Sequence, residues 1–246
     1  HIGHRSLMPA APPAAVWTRI DNLVRAESLP LVNACEVVKG APYPTISLDN
    51  RAAAQARGQA VDEDADAETT KAAVEAEGRR AVVLKGDVSD PAFAEMAVKA
   101  TLDAFGRLDV LVPNAAFQEH VPAFEDLTYE HFDRTLKTNL YGYFNMTKAA
   151  VPHMKAGGAI VMTGSVTGLM GNKDLLDYSL TKGGIHAFAR SLGTHLAPRG
   201  IRVNVVAPGP VWTPLIPSTM PPEAVESFGK NTPLGRAAQP AEMAGA

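Results

Sequence analysis

Several kinds of residue are scarce in this chain, and each shortage closes off a class of function. There is one cysteine, Cys35, so no internal disulfide can form, and a lone thiol fits a reducing compartment. No apolar run reaches the roughly 18 residues needed to span a bilayer. Neither sign of charge is in excess. A net charge of −3 over 246 residues gives no electrostatic pull toward nucleic acid or an anionic membrane. The seven histidines, at 1, 4, 120, 131, 153, 186 and 195, form no i,i+4 pair and no Glu-flanked motif, so no metal site is expected. Ser165, in Thr163-Gly-Ser-Val-Thr-Gly168, lacks the Gly-x-Ser-x-Gly spacing of a hydrolase nucleophile. The opening His1-Ile-Gly-His-Arg leads to Met8-Pro-Ala-Ala-Pro-Pro, which has no apolar signal core. The expectation is a soluble, cytoplasmic protein with neither nucleic acid nor membrane as partner.

Glycine is scarce where it would matter most. The first sixty residues hold only Gly3, Gly40 and Gly58, together with six prolines and no sustained hydrophobic period. No strand-turn-helix is expected in residues 1–61. A helical stretch from Arg51 is broken by Gly58 and by an acidic run over 62–68. That run reads as a solvated helix start favoured by the helix dipole rather than as a metal site.

From there onward, strands and helices alternate with regular punctuation. Short apolar strands are expected at 81–84, 108–112, 158–163 and 201–206, with helices at about 91–105, 128–154 and 177–196. Asp90-Pro91 reads as an N-cap followed by proline at the first helical position. Thr128 reads as a cap with Glu130 in the first turn. Apolar strands separated by helices, with no hairpin turns, indicate βαβ units. The fold class is therefore α/β, a doubly wound parallel sheet in three layers, read as one domain over 62–246. In such sheets ligands sit beyond the carboxyl ends of the strands. Each expected strand ends in a small or glycine-bearing segment: Gly86-Asp87, Asn114-Ala115, Gly164-Ser165 and Pro208-Gly209. The candidate chemistry gathers along one edge.

Tyr178 and Lys182 stand four apart in an expected helix, so both side chains leave one face. A free phenol titrates near ~10. A unit positive charge ~5 Å away favours the phenolate by roughly 3 kcal/mol, or about 2 pH units. Such a pair exchanges protons near neutral pH, and the Ser165 hydroxyl can hold a carbonyl or alcohol oxygen against it. The spacing alone arises by chance about one time in five in a chain of this composition. The strand-end series around it is what gives it weight.

That ordered series resembles the short-chain dehydrogenase/reductase family: Asp87-Val88, Asn114-Ala115-Ala116, Asn139, Ser165, Tyr178-x-x-x-Lys182, then Pro208-Gly209 with Thr213. Asn114-Ala-Ala-Phe-Gln118 and Pro208-Gly-Pro-Val-Trp-Thr-Pro-Leu-Ile-Pro217 resemble its bacterial glucose/ribitol-dehydrogenase-like branch. The resemblance implies a Rossmann-type fold, NAD or NADP as cofactor, and a small alcohol or carbonyl substrate. It also implies a homo-oligomer, dimer or tetramer, built on the two long helices. It makes Tyr178 the general acid/base, Lys182 its partner and a ligand of the nicotinamide ribose, and Ser165 the anchor of the substrate oxygen. Asn139 would hold a water that links Lys182 to solvent. Asp87 and Val88 would meet the adenine, and Asn114 and Ala115 a ribose. Pro208, Gly209, Val211 and Thr213 would border the nicotinamide. Bland alternatives remain open for Asp87 (turn chemistry), Asn139 (a tolerated helix polar residue) and Pro208-Gly209 (a plain turn).

The chain departs from the family's pattern in two regions. The glycine loop Thr-Gly-x-x-x-Gly-x-Gly, through which the family's backbone approaches pyrophosphate, has no counterpart in residues 1–61. The first strand-helix unit and the last strand are in doubt. The sequence reads as truncated at Ala246, with a fragmentary or misread 5′ part. Pro113 also removes one backbone donor beside Asn114. Two further readings therefore stand beside the oxidoreductase. One is a catalytically inactive remnant acting at most as a binding or interaction module. The other is a non-redox binder or isomerase using the same tyrosine and lysine.

Overall fold

The computed structural model describes residues 31–33, 45–49, 63–76, 78–213, 216 and 222–243. Its sheet has six strands: β1 Leu31–Asn33, β2 Thr45–Asp49, β3 Val82–Lys85, β4 Val110–Val112, β5 Ala159–Thr163 and β6 Arg202–Val206. Their order is β3-β2-β1-β4-β5-β6, and every adjacent pair is parallel. The order reverses between β1 and β4, so the carboxyl ends on either side of that junction flank a crevice. The expected fold class is the one observed.

Residues 1–61, where the first strand-helix unit was in doubt, contribute two strands to the sheet. Leu31 pairs with Thr45 on one side and Val110 on the other, so β1 occupies the sheet centre. The chain between β1 and β2, residues 34–44, lies outside the described residues, as does the helical stretch expected from Arg51. Among the described residues the sheet has no seventh strand.

Helices cover the sheet: α1 Glu63–Ala76, α2 Pro91–Phe105, α3 Tyr129–Leu136, α4 Gly142–Ala150, α5 Thr167–Met170, α6 Leu176–Leu196, α7 Pro222–Ser227 and α8 Pro240–Met243. Residues 63–68 of the acidic run form the start of α1. Both expected caps form: Asp90 Oδ1 accepts from Ala92 N at 2.9 Å, and Thr128 Oγ1 accepts from His131 N at 3.1 Å. The core lies between β4, β5 and helices α2, α4 and α6. Leu111, Ile160, Met162 and Ile185 are fully buried there, each contributing about 1.5–3 kcal/mol.

The helix expected over 128–154 is not continuous. A π turn, Lys137–Tyr141, separates α3 from α4, with Gly142 N donating to Lys137 O five residues back. Insertions of this kind free backbone groups and re-aim side chains, which is why they concentrate at functional sites. Asn139 sits in this turn. No described helix is long and apolar enough to cross a membrane.

Candidate functional site

Because every strand runs the same way, the segments after β4, β5 and β6 emerge along one edge. Gly164 N donates to Val206 O at 2.8 Å and Val166 N to Pro208 O at 2.9 Å, tying the Ser165 turn to the Pro208-Gly209 segment. Pro208 and Val211 are half-buried and Gly209 is exposed beyond β6. Pro210 and Trp212 pair with Ala238, which fixes the path of the chain up to Thr213.

Ser165 is buried at the end of β5, and its Oγ accepts from Thr167 N at 3.1 Å and Thr167 Oγ1 at 3.0 Å. The turn that carries it packs directly on α6. A Cβ at Gly168 would lie 2.6 Å from the carbonyl carbon of Lys182, so only glycine permits this approach. Ser165 lies near enough to the Tyr178 phenol to ease its ionisation, and Lys182 Nζ lies 5.4 Å from the centre of the Tyr178 ring. The expected trio is thus assembled at one place.

Its electrostatics differ from the expectation. Burial pushes the Tyr178 phenol up to about 12, partly opposed by the Ser165 hydroxyl, and pushes the Lys182 ammonium down to about 7. The expected lowering of the phenol requires a full positive charge on the lysine. In the fold Lys182 is 1% exposed and donates to Thr163 O at 2.7 Å, so loss of water outweighs the attraction between lysine and phenol.

Asn139 has a definite task. Its Oδ1 accepts from Phe117 N at 2.7 Å, and its Nδ2 donates to Phe117 O at 2.9 Å and to Thr181 Oγ1 at 3.0 Å. The fully buried amide therefore staples the segment after β4, which carries Asn114 and Ala115, to α6 between Tyr178 and Lys182. A second staple holds the start of α6. The Asp177 carboxylate accepts from Thr135 Oγ1 and lies 3.1 Å from His131 Nε2, joining α3 to the turn that begins with Tyr178.

The adenine-side residues are placed differently. Asp87 is exposed, but its Oδ1 accepts from Ser89 N at 2.8 Å, so part of its capacity serves the local turn. Val88 is 3% exposed and packs on Gly142, where a Cβ would sit 2.7 Å away. Its side chain belongs to the core. In the loop after β6, Ile216 is buried and Phe228 rests against Trp212 with ring centres 6.4 Å apart, while Leu215 and Met220 lie outside the described residues. Two polar residues of the site went unnoticed in the sequence, Tyr143 and His186. Each stands one helical turn beyond a residue already singled out, Asn139 and Lys182.

A nicotinamide dinucleotide is the group this fold implies. The nicotinamide end fits: a buried hydroxyl, a half-buried phenol and a buried lysine meet beside the Pro208-Gly209 segment, and a Cβ at Gly209 would touch nothing within 4 Å, leaving open space there. Among the described residues, no group of three or more His, Cys, Asp or Glu side chains could hold a metal.

A six-stranded, doubly wound parallel sheet with Ser165, Tyr178 and Lys182 gathered beyond its carboxyl edge defines a Rossmann-type fold. Residues 51–246 match the family profile described as enoyl-(acyl carrier protein) reductase. The chain is 48% identical over 186 residues to the uncharacterized oxidoreductase YhdF of Bacillus subtilis, covering 76% of this chain and 64% of that protein. It is 43% identical over 186 residues to glucose and ribitol dehydrogenase homolog 2 of Arabidopsis thaliana, covering 74% and 64%. A short-chain dehydrogenase of Burkholderia cenocepacia, solved in complex with NADP, superposes with a TM-score of 0.75 at 24% identity, covering 89% of each chain. The chain belongs to the short-chain dehydrogenase/reductase family. It spans about 64% of the length of the curated relatives it matches.

Proposed function

We propose that this chain carries the proton-transfer half of an NAD(P)-dependent oxidoreductase that interconverts a secondary alcohol and a ketone on a sugar, polyol or small carbonyl compound. The observation that carries this reading is the meeting of Ser165, Tyr178 and Lys182 at the carboxyl edge of the sheet. The sugar or polyol class rests on the glucose and ribitol dehydrogenase relative.

When bound, the nicotinamide dinucleotide supplies or accepts the hydride. The chain's own residues bind, orient and move the proton. The Ser165 hydroxyl donates to the substrate oxygen and holds it beside Tyr178. In the reducing direction Tyr178 Oη gives its proton to that oxygen; in the oxidising direction the phenolate removes it. A phenol held near 12 donates reluctantly at neutral pH, so Lys182 must be charged and close for the step to run. Lys182, and with it Asn114, Ala115, Pro208, Gly209, Val211 and Thr213, would hold the nicotinamide and its ribose. Asp87 would reach the adenine through its free carboxylate oxygen. The π turn at Asn139 leaves backbone carbonyl capacity for a water that returns protons to Lys182.

In this reading the protein is a cytoplasmic homo-oligomer. Tyr141 and Phe144 on the π turn and α4, and Leu180 on α6, are 56%, 46% and 51% exposed, which supplies the two long helices with apolar contact surface.

A second reading, an inactive remnant, is favoured by one observation: residues 1–61 hold no pair of glycines at the spacing of a pyrophosphate loop. Each charge-assisted contact missing there is worth roughly 1.5–3 kcal/mol, so losing two weakens cofactor binding a hundredfold or more. Two assays separate the readings. NADH and NADPH are titrated while nicotinamide fluorescence is followed, and the chain and Tyr178→Phe are assayed for turnover with sugars, polyols and small ketones. The oxidoreductase reading expects micromolar-range binding and turnover that Tyr178→Phe lacks. Absence of binding would establish the remnant, and equal turnover by both proteins would refute the role of Tyr178.

A further inference from the structure

Tyr143 is 2% exposed on α4, directly beneath the site. A phenol at that depth needs a partner, and Oη donates to Thr163 O at 2.9 Å. Lys182 Nζ donates to the same carbonyl at 2.7 Å and lies 3.5 Å from Tyr143 Oη. This acceptor is free because Thr163 lies beyond the last β4–β5 ladder pair, Leu111 with Ile160. Its N–H still reaches Pro113 O at 3.1 Å, while its C=O is left for side chains. The lysine head also lies near two aromatic rings, 5.5 Å from the centre of Tyr143 and 5.4 Å from that of Tyr178. A phenylalanine would fill the same core space, so the hydroxyl serves the carbonyl and the lysine rather than packing.

We propose that Tyr143 is a positioning residue for Lys182: its hydroxyl shares the Thr163 carbonyl with the lysine, and its ring lies near the lysine head. This rests on the proposed function only insofar as Lys182 acts on Tyr178. The groups around Nζ in the described residues are two phenols and the Thr163 carbonyl, and one turn further along α6 His186 has its Nε2 3.2 Å from Ser165 O. No carboxylate among the described residues pairs with Lys182. The Tyr143 oxygen and ring face are therefore groups that favour the ammonium against burial. Removing them moves Lys182 toward the free amine.

The test reads Lys182 itself in cofactor-free protein. Lysines labelled with 13C at Cε are titrated by NMR, and the Lys182 signal is identified by its loss in Lys182→Arg. Tyr143→Phe removes the oxygen and keeps the ring, while Tyr143→Leu removes both. Tyr143→Phe is expected to lower the Lys182 midpoint by about half to one pH unit, and Tyr143→Leu at least as far. In the turnover assay the lysine-dependent limb of the pH profile moves the same way, whereas a purely structural role would lower the melting temperature and leave the midpoint alone. If Tyr143→Leu fails to fold, Tyr143→Phe alone decides. A folded Tyr143→Phe protein with the wild-type Lys182 midpoint overturns the proposal. That result leaves the oxidoreductase reading untouched, just as equal turnover by Tyr178→Phe would sink that reading without altering the midpoint comparison.

Discussion

Replacing Lys182 with methionine probes the electrostatics of the site without any cofactor. Burial takes this lysine from 10.5 to about 7. With the folded value depressed, the unfolded chain binds more protons than the folded one between about pH 7 and pH 10.5. Stability therefore rises with pH across that window and is lost as pH falls toward 7. A drop of about 3.5 pH units at about 1.36 kcal/mol each puts the cost of this lysine at neutral pH at about 5 kcal/mol. Lys182→Met removes that cost and gives up the bond to Thr163 O, worth about 1.5–3 kcal/mol to a charged donor. Tyr143 Oη continues to satisfy the carbonyl. The variant should then be about 2–3.5 kcal/mol more stable than the parent at pH 7. On the same figures the advantage should vanish between about pH 8 and pH 9.5, below the range where Tyr178 adds its own opposing slope. Urea unfolding of both proteins at several pH values between 7 and 10 measures this. Parallel stability profiles for parent and variant would show that Lys182 is not held in the state the fold implies.

Other substitutions test neighbouring parts of the argument. Asn139→Ala removes three buried hydrogen bonds, two to the Phe117 backbone and one to Thr181 Oγ1, and should cost about 2–4 kcal/mol in chemical denaturation. Gly168→Ala places a methyl 2.6 Å from the Lys182 backbone, so it should cost about 1–3 kcal/mol, read as a lower melting temperature, together with most turnover. Asp90→Ala removes the cap of α2, away from the site, and should lower stability by about 1 kcal/mol with turnover unchanged.

The parts of the fold legible in the sequence were those with a local cause. Helix α2 was bounded by a cap and a proline, and its observed limits, Pro91–Phe105, coincide with the expected ones. Strands β3 to β6 were recognisable as short apolar runs between helices. Strands β1 and β2 were not, because three and five residues amid prolines carry no period; neighbours on both sides of β1 supply its pairing. The π turn was missed as well, since its only trace is an asparagine in mid-helix. At the site, spacing gave the residues, and the fold brings Ser165, Tyr178 and Lys182 together. Spacing could not give their burial, which reverses the expected direction for Tyr178. Tyr143 and His186 were within reach, because extending the four-residue rows from Asn139 and Lys182 arrives at both.

The central claim is that Tyr178 delivers the proton in a hydride-transfer reaction at the sheet's carboxyl edge. Its most direct test supplies nicotinamide cofactor deuterated at C4 and follows the label by mass spectrometry into the alcohol formed from a small ketone. Deuterium should appear on the former carbonyl carbon with the native chain and fall by about 100-fold or more with Tyr178→Phe. Cofactor that binds but leaves no label on that carbon, or equal label from both proteins, would contradict the account.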